Sequence, residues 1–160
     1  MNVQNKEKGF TIIEVVLVLA IAGLIFLMVF IALPALQRNQ RDTARRNDVS
    51  TVASAFTTAT NNNRGTAPAN GTIASTQFGS TATGVPDFAR YLDDLSDNTT
   101  SVVVRDRGTA TTISPTDGQV VIVKNARCGA AGSAVSAGTA RQVAIFTLLE
   151  GGNAIFCQTS

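Results

Sequence analysis

Apolar residues run almost unbroken from Val15 to Leu33, and no charged residue occurs between positions 15 and 37. About 20 apolar residues rising 1.5 Å each cross a hydrocarbon core of ~30 Å, so the run is long enough to span a membrane. Lipid offers the backbone no outside hydrogen-bond partner, which keeps even β-branched Val and Ile helical. A cleaved secretory signal is the alternative. Its apolar region usually covers about 7–15 residues and ends at a small-residue site. The A-x-A match here, Ala20-Ile21-Ala22, lies in the middle of the run, so a retained helix fits better.

After the run the pattern becomes amphipathic. Val49, Val52, Ala53 and Phe56 recur at i, i+3, i+4 and i+7 and predict one apolar stripe on a helix over residues 38–61. Arg38, Arg41, Asp42, Arg45, Arg46 and Asp48 are expected to form its polar surface. Asn61-Asn62-Asn63-Arg64-Gly65 supplies turn formers that stop it. One helix from about Thr11 to Thr60 is therefore expected, with Pro34 as its weak point. Proline lacks the N–H for a bond to Phe30 and its ring crowds that carbonyl.

Residues 62–99 read as loop with one short helix, Pro86 to Leu95. Pro86 suits a first helical turn, and Phe88, Tyr91, Leu92 and Leu95 share a face. From position 100 the pattern is that of strands. Ser101–Arg105 and Thr109–Ile113 flank Asp106-Arg107-Gly108 as a hairpin. Gln119–Lys124 is an apolar strand after a Pro-Thr-Asp-Gly turn. Ala126–Ala140 is a Gly/Ala/Ser loop, and Gln142–Leu149 pairs with Ala154–Gln158 across Glu150-Gly151-Gly152-Asn153. Consecutive hairpins predict an antiparallel meander of four or five strands with the helix on one face, an α+β head over residues 100–160 and the preceding helix.

Composition narrows the chemistry. The chain has 160 residues, a net charge of +2, and neither His nor Trp. His is the commonest general base and metal ligand, so its absence removes a Ser-His-Asp set. A Ser-Lys dyad would have only Lys6, Lys8 and Lys124 to draw on. Asp93 to Asp97 lacks the regular alternation of a calcium loop. No catalytic residue, metal or cofactor is expected. The arginine cluster admits a nucleic-acid reading, but a solvated face at the membrane boundary is favoured. Cys128 and Cys157 are the two cysteines. An even count beside an export segment reads as one disulfide, with two buried thiols as the alternative.

Two features stand unexplained. Glu14 places a carboxylate near the start of the apolar helix, where a charge at the centre would cost about 2.5–3.5 kcal/mol. The flanking charges also conflict. Lys6 and Lys8 precede the helix, and Arg38, Arg41, Arg45 and Arg46 follow it. The positive-inside rule alone would put the following part in the cytoplasm. The cysteine pair and the Thr-rich polar composition point outside, and that orientation is adopted.

Lys8-Gly9-Phe10-Thr11-Ile12-Ile13-Glu14, followed by an apolar helix, resembles the cleavage motif of type IV prepilins. The resemblance covers about the first 30 residues. It implies a leader, Met1 to Gly9, removed by a prepilin peptidase between Gly9 and Phe10, with N-methylation of Phe10. It implies that Glu14 pairs with the new amine of a neighbouring subunit and sets the register of assembly. Gly23 falls where that family often has a helix-loosening glycine. Many members have proline at the position of Ile31, whereas this chain has Pro34, so a kink or melted segment is expected later. Cys128 and Cys157 resemble the family's disulfide-bounded C-terminal loop.

The implied organisation is leader 1–9, membrane and assembly helix 10–37, amphipathic helix 38–61, loop 62–99 and sheet 100–160. The implied role is a structural subunit of a type IV pilus, anchored in the cytoplasmic membrane and then polymerised into an extracellular homo-oligomeric filament. Its partners would be the peptidase, an assembly platform and an ATPase. A pseudopilin of a type II secretion or competence system is the alternative, and a membrane-anchored extracellular binding module is a third.

Overall fold

The computed structural model describes residues 9–83, 86–150 and 154–160. A single long helix, α1, spans Ile12–Asn62 and passes through Pro34 without interruption. The chain divides into two compact units within it, between Gln37 and Arg38.

In the second unit, α1 buries Val49, Val52, Ala53 and Phe56, the stripe that its spacing predicts. The same face continues backwards through Arg45 and Asp48, each only 4% exposed. These two were expected at the polar surface. Their spacing to Val49 and Val52 is helical, so they share the face that meets the head, and polar partners there hold them. The helix ends where the Asn-rich segment predicts. Arg64 (φ 55°) and Gly65 (φ 85°) turn left-handed, and the Gly65 N–H bonds the Thr60 carbonyl at 2.8 Å.

The sheet has five strands, β1 (Gly71–Ala74), β2 (Ser101–Asp106), β3 (Gln119–Lys124), β6 (Val143–Leu148) and β7 (Ile155–Thr159), adjacent in that order. A separate two-stranded sheet joins β4 (Ala126–Cys128) to β5 (Val135–Ala137). The fold is α+β, with helix packed on a mostly antiparallel sheet.

One pairing departs from the meander. β2 and β3 run parallel, Ser101 opposite Gln119 through Asp106 opposite Lys124. Parallel neighbours need a crossover, and residues 107–118 supply it. Asp106-Arg107-Gly108 does turn, with Gly108 at φ 54° and the Ala110 N–H on the Arg107 carbonyl. The chain then leaves the sheet instead of returning beside β2. Thr109–Ile113 is not a strand of the sheet, and among the described residues its only ladder contact is an isolated bridge from Thr112 to Ala134.

The crossover also helps to cover one of the two buried faces of the sheet. Val102, Val104, Val120, Ile122, Val143 and Ile145 pack with α1, Phe88 and Leu92. Val121, Val123, Ala144 and Phe146 point the other way and are covered by Ile113, Ala126 and Val135. Alternation along each strand separates the two sets. Four successive apolar residues in β3 therefore require a central strand with cover on both sides.

Three smaller differences follow. β1 occupies part of the expected loop, and only its Ile73 is buried. The short helix is a 3₁₀ segment, Asp87–Tyr91, yet Phe88 and Leu92 are buried and Tyr91 and Leu95 pack against the core as expected. The Gly/Ala/Ser loop contains β4 and β5. The β6–β7 hairpin is present, closed by the Leu149 N–H on the Ala154 carbonyl at 2.8 Å. Gly151, Gly152 and Asn153 of its turn lie outside the described residues. Cys128 and Cys157 form a disulfide with Cα atoms 5.9 Å apart, tying β4 to β7.

Candidate assembly segment

Gly9 and Phe10 precede α1 and have no regular structure, and Phe10 is 85% exposed. Met1 to Lys8, including Lys6 and Lys8, lie outside the described residues. Among the described residues, no atom lies within 4 Å of where a Gly9 side chain would begin, so none of them demands glycine at position 9. Gly23 is equally open.

The helix begins as the Thr11 carbonyl accepts the N–H groups of Glu14 (3.1 Å) and Val15 (3.3 Å). Glu14 lies in the first turn and is exposed. A carboxylate there faces the positive end of the helix dipole, which favours it by about 0.3–1 kcal/mol. That local benefit is smaller than the cost of a charge in hydrocarbon, so the dipole does not by itself account for Glu14.

The apolar surface beyond Glu14 has no cover within its own unit. Its most apolar 18-residue window has a mean hydropathy of 3.2 and none of it is buried. Residues 12–36 at 1.5 Å per residue extend about 37 Å, more than the ~30 Å of a hydrocarbon core. Soluble monomers rarely leave more than a few hundred Å² of contiguous apolar surface bare. Such a rod needs lipid or other rods around it.

Residues 4–30 match the prokaryotic N-terminal methylation motif. This motif is the class III signal peptide of type IV pilins. It encloses Gly9, Phe10, Glu14 and Gly23, and stops short of Pro34. No curated relative and no solved structure matches the chain. The motif supports a type IV pilin-like or pseudopilin protein.

In the Arg38–Ser160 unit, the side chains missed from sequence form a second polar constellation. Arg45 donates from Nη1 to the Leu148 carbonyl (2.6 Å) and from Nη2 to Asp117 (2.7 Å) and Glu150 (2.9 Å). Arg41 Nε donates to the other Glu150 oxygen at 2.7 Å, and the Glu150 N–H donates to Asp42 at 2.7 Å. Asp48 accepts the Ser96 N–H (3.0 Å), the Ser96 hydroxyl (2.6 Å) and the Thr99 hydroxyl (2.6 Å). Extending the Val49–Val52 spacing back by one turn would have flagged both buried charges. Arg46 lies over the Phe156 ring, 5.1 Å from its centre. Three of the four arginines thus contact head groups, which suits a folding role better than a phosphate-binding patch. Among the described residues, no group of three His, Cys, Asp or Glu converges for a metal.

Proposed function

We propose that the protein is a structural subunit of a type IV pilus. It waits as a single-pass protein in the cytoplasmic membrane with its head outside. It is cut between Gly9 and Phe10, methylated on Phe10, and packed through residues 10–37 into an extracellular filament. The observation that carries this reading is the methylation motif running into a helix whose most apolar 18-residue window is wholly uncovered. A pseudopilin would share both features. The Cys128–Cys157 bridge favours a pilin, because it resembles the disulfide-bounded loop of that family. The prepilin peptidase, the assembly platform and its ATPase are the partners of this reading.

Glu14 has a defined part in it. Cleavage creates an amine on Phe10, and the carboxylate of a neighbouring copy pairs with it among apolar helices. Breaking a buried pair by removing one partner costs roughly 3–5 kcal/mol. Pro34 and Gly23 are where the helix would yield during packing.

The test is a set of strains each making one version of the chain. Intact mass of sheared filaments from wild type should show loss of Met1–Gly9 and one added methyl. Glu14→Val should be cleaved, since the cut site is intact, but form no filaments. A bulky substitution at Gly9 should leave the leader attached. Normal filaments from Glu14→Val alone would refute the register role, and a mature chain beginning after Ala22 would refute the prepilin reading altogether.

A further inference from the structure

The arginines after the apolar helix favour an inward head, yet the proposed function places the head outside. We propose that the ion network around Arg45 is a topological latch. It holds these arginines on the outer face by binding them to carboxylates that reach that face with the rest of the head. The inference rests on the pilin reading for the head's location.

The network has the connectivity that such a latch needs. Arg41 and Arg45 lie within the 15–20 residues after the span that the positive-inside rule counts. Their partners, Asp117, Leu148 and Glu150, come 72 to 109 positions later. The contacts can form only when the chain through Glu150 is on the same side of the membrane as Arg41. Once formed, they bury Arg45 to 4% exposure and leave Glu150 26% exposed. The Asp42 carboxylate also holds the Glu150 N–H, so the β6 end is pinned to α1 by backbone and side chain together. Sending the arginines back inward then requires unfolding the head. Arg38 and Arg46 remain exposed. They lie outside the network and still contribute to the inward bias.

The cysteines supply the assay. A head outside forms the Cys128–Cys157 bridge, while a head in the reducing cytoplasm keeps two thiols. Cytoplasmic thiols react with a membrane-permeant maleimide and not with a sulfonated, impermeant one. In the native host, wild type should give no thiol labelling with either reagent. The double variant Asp117→Asn with Glu150→Gln should split into two populations, one bridged and one labelled only by the permeant reagent. Adding Arg38→Gln and Arg46→Gln to that variant should remove the inward population by lowering the bias. Val102→Ala, which weakens the core but leaves the network intact, should keep the head outside.

A double variant that stays wholly outside overturns the latch. So does failure of the added arginine changes to restore it, or an equal inward fraction in Val102→Ala, which would make general stability the cause. Permeant-only labelling of wild type would instead refute the external location itself.

Discussion

Asp48 offers the sharpest test of how the head is held together. Its carboxylate is 4% exposed and accepts three hydrogen bonds, two of them from the Ser96 and Thr99 hydroxyls at 2.6 Å. Hydrogen bonds to a charged group contribute about 1.5–3 kcal/mol each, and a buried donor left without a partner costs about 1–3 kcal/mol. Asp48→Ala orphans the Thr99 hydroxyl, which is on a residue 3% exposed, and the Ser96 N–H beside it. Alanine returns roughly 0.5 kcal/mol through its better helix propensity, and the penalty for burying the carboxylate disappears. The expected net loss is about 3 kcal/mol, a large share of the 5–15 kcal/mol typical of a domain. For a head of this size that lowers the melting temperature by roughly 10–15 °C.

Asp48→Asn should be much milder. Its oxygen can take the Ser96 N–H while its amide hydrogens meet the two hydroxyls, so all three contacts survive without the charge. A loss of about 1–2 kcal/mol is expected from weaker neutral bonds. Thermal unfolding of the detergent-solubilised chain, followed by near-ultraviolet circular dichroism, gives both values. Asp48→Ala melting within a few degrees of wild type would refute the reasoning. Equal losses for both variants would mean that charge, and not bond satisfaction, holds the site.

Two further outcomes are expected. Cys157→Ser opens a bridge spanning 29 positions and should destabilise the head by about 3–4 kcal/mol on the chain-entropy model, measured by urea titration under non-reducing conditions against wild type. Asp106 has its pKa lowered by the hydrogen bond from Asn70 and then by Lys124. Its folded value lies below its unfolded value, so its contribution is present above the usual carboxylate range and disappears as pH falls through the folded value. Asp106→Asn should therefore flatten that part of the acid limb in a series of melts between neutral and acid pH.

The apolar helix and its amphipathic continuation were legible because each repeats one rule over many residues. The stripe Val49, Val52, Ala53 and Phe56 needs only a period to be read. The positions of β2, β3, β6 and β7 were legible too, from runs of Val, Ile and Phe between turns. Strand partners were not. Asp106-Arg107-Gly108 predicts a reversal, and a reversal occurs, but whether the next segment pairs depends on burial far away. Val121 and Val123 need cover on the face opposite α1, and Ile113 supplies it. β1 was hidden because a four-residue edge strand with one inward residue, Ile73, carries almost no pattern. Charge alone predicts exposure for Arg45 and Asp48, whereas their burial depends on partners such as Asp117 and Thr99, on loops that local spacing cannot locate. At the N-terminus the order is reversed. Gly9, Phe10 and Glu14 make few contacts in the fold and are conspicuous only as a sequence motif.

The sheet stops at two short edges, four residues in β1 and five in β7. Edge strands carry unpaired backbone groups that can template pairing between copies. On the proposed function, copies lie side by side in a membrane plane, where that hazard is greater than in dilute solution. β1 limits it by length, since alternate residues point their backbone groups inward to β2 and only about two are left facing out. β7 is crowded by the disulfide to β4 and by the Cys128 N–H on the Thr159 hydroxyl at 3.0 Å. The head is thereby poorly suited to spontaneous strand exchange with its neighbours. On the proposed function, crowded copies stay separate at their heads, and the timing of association is left to the apolar helix.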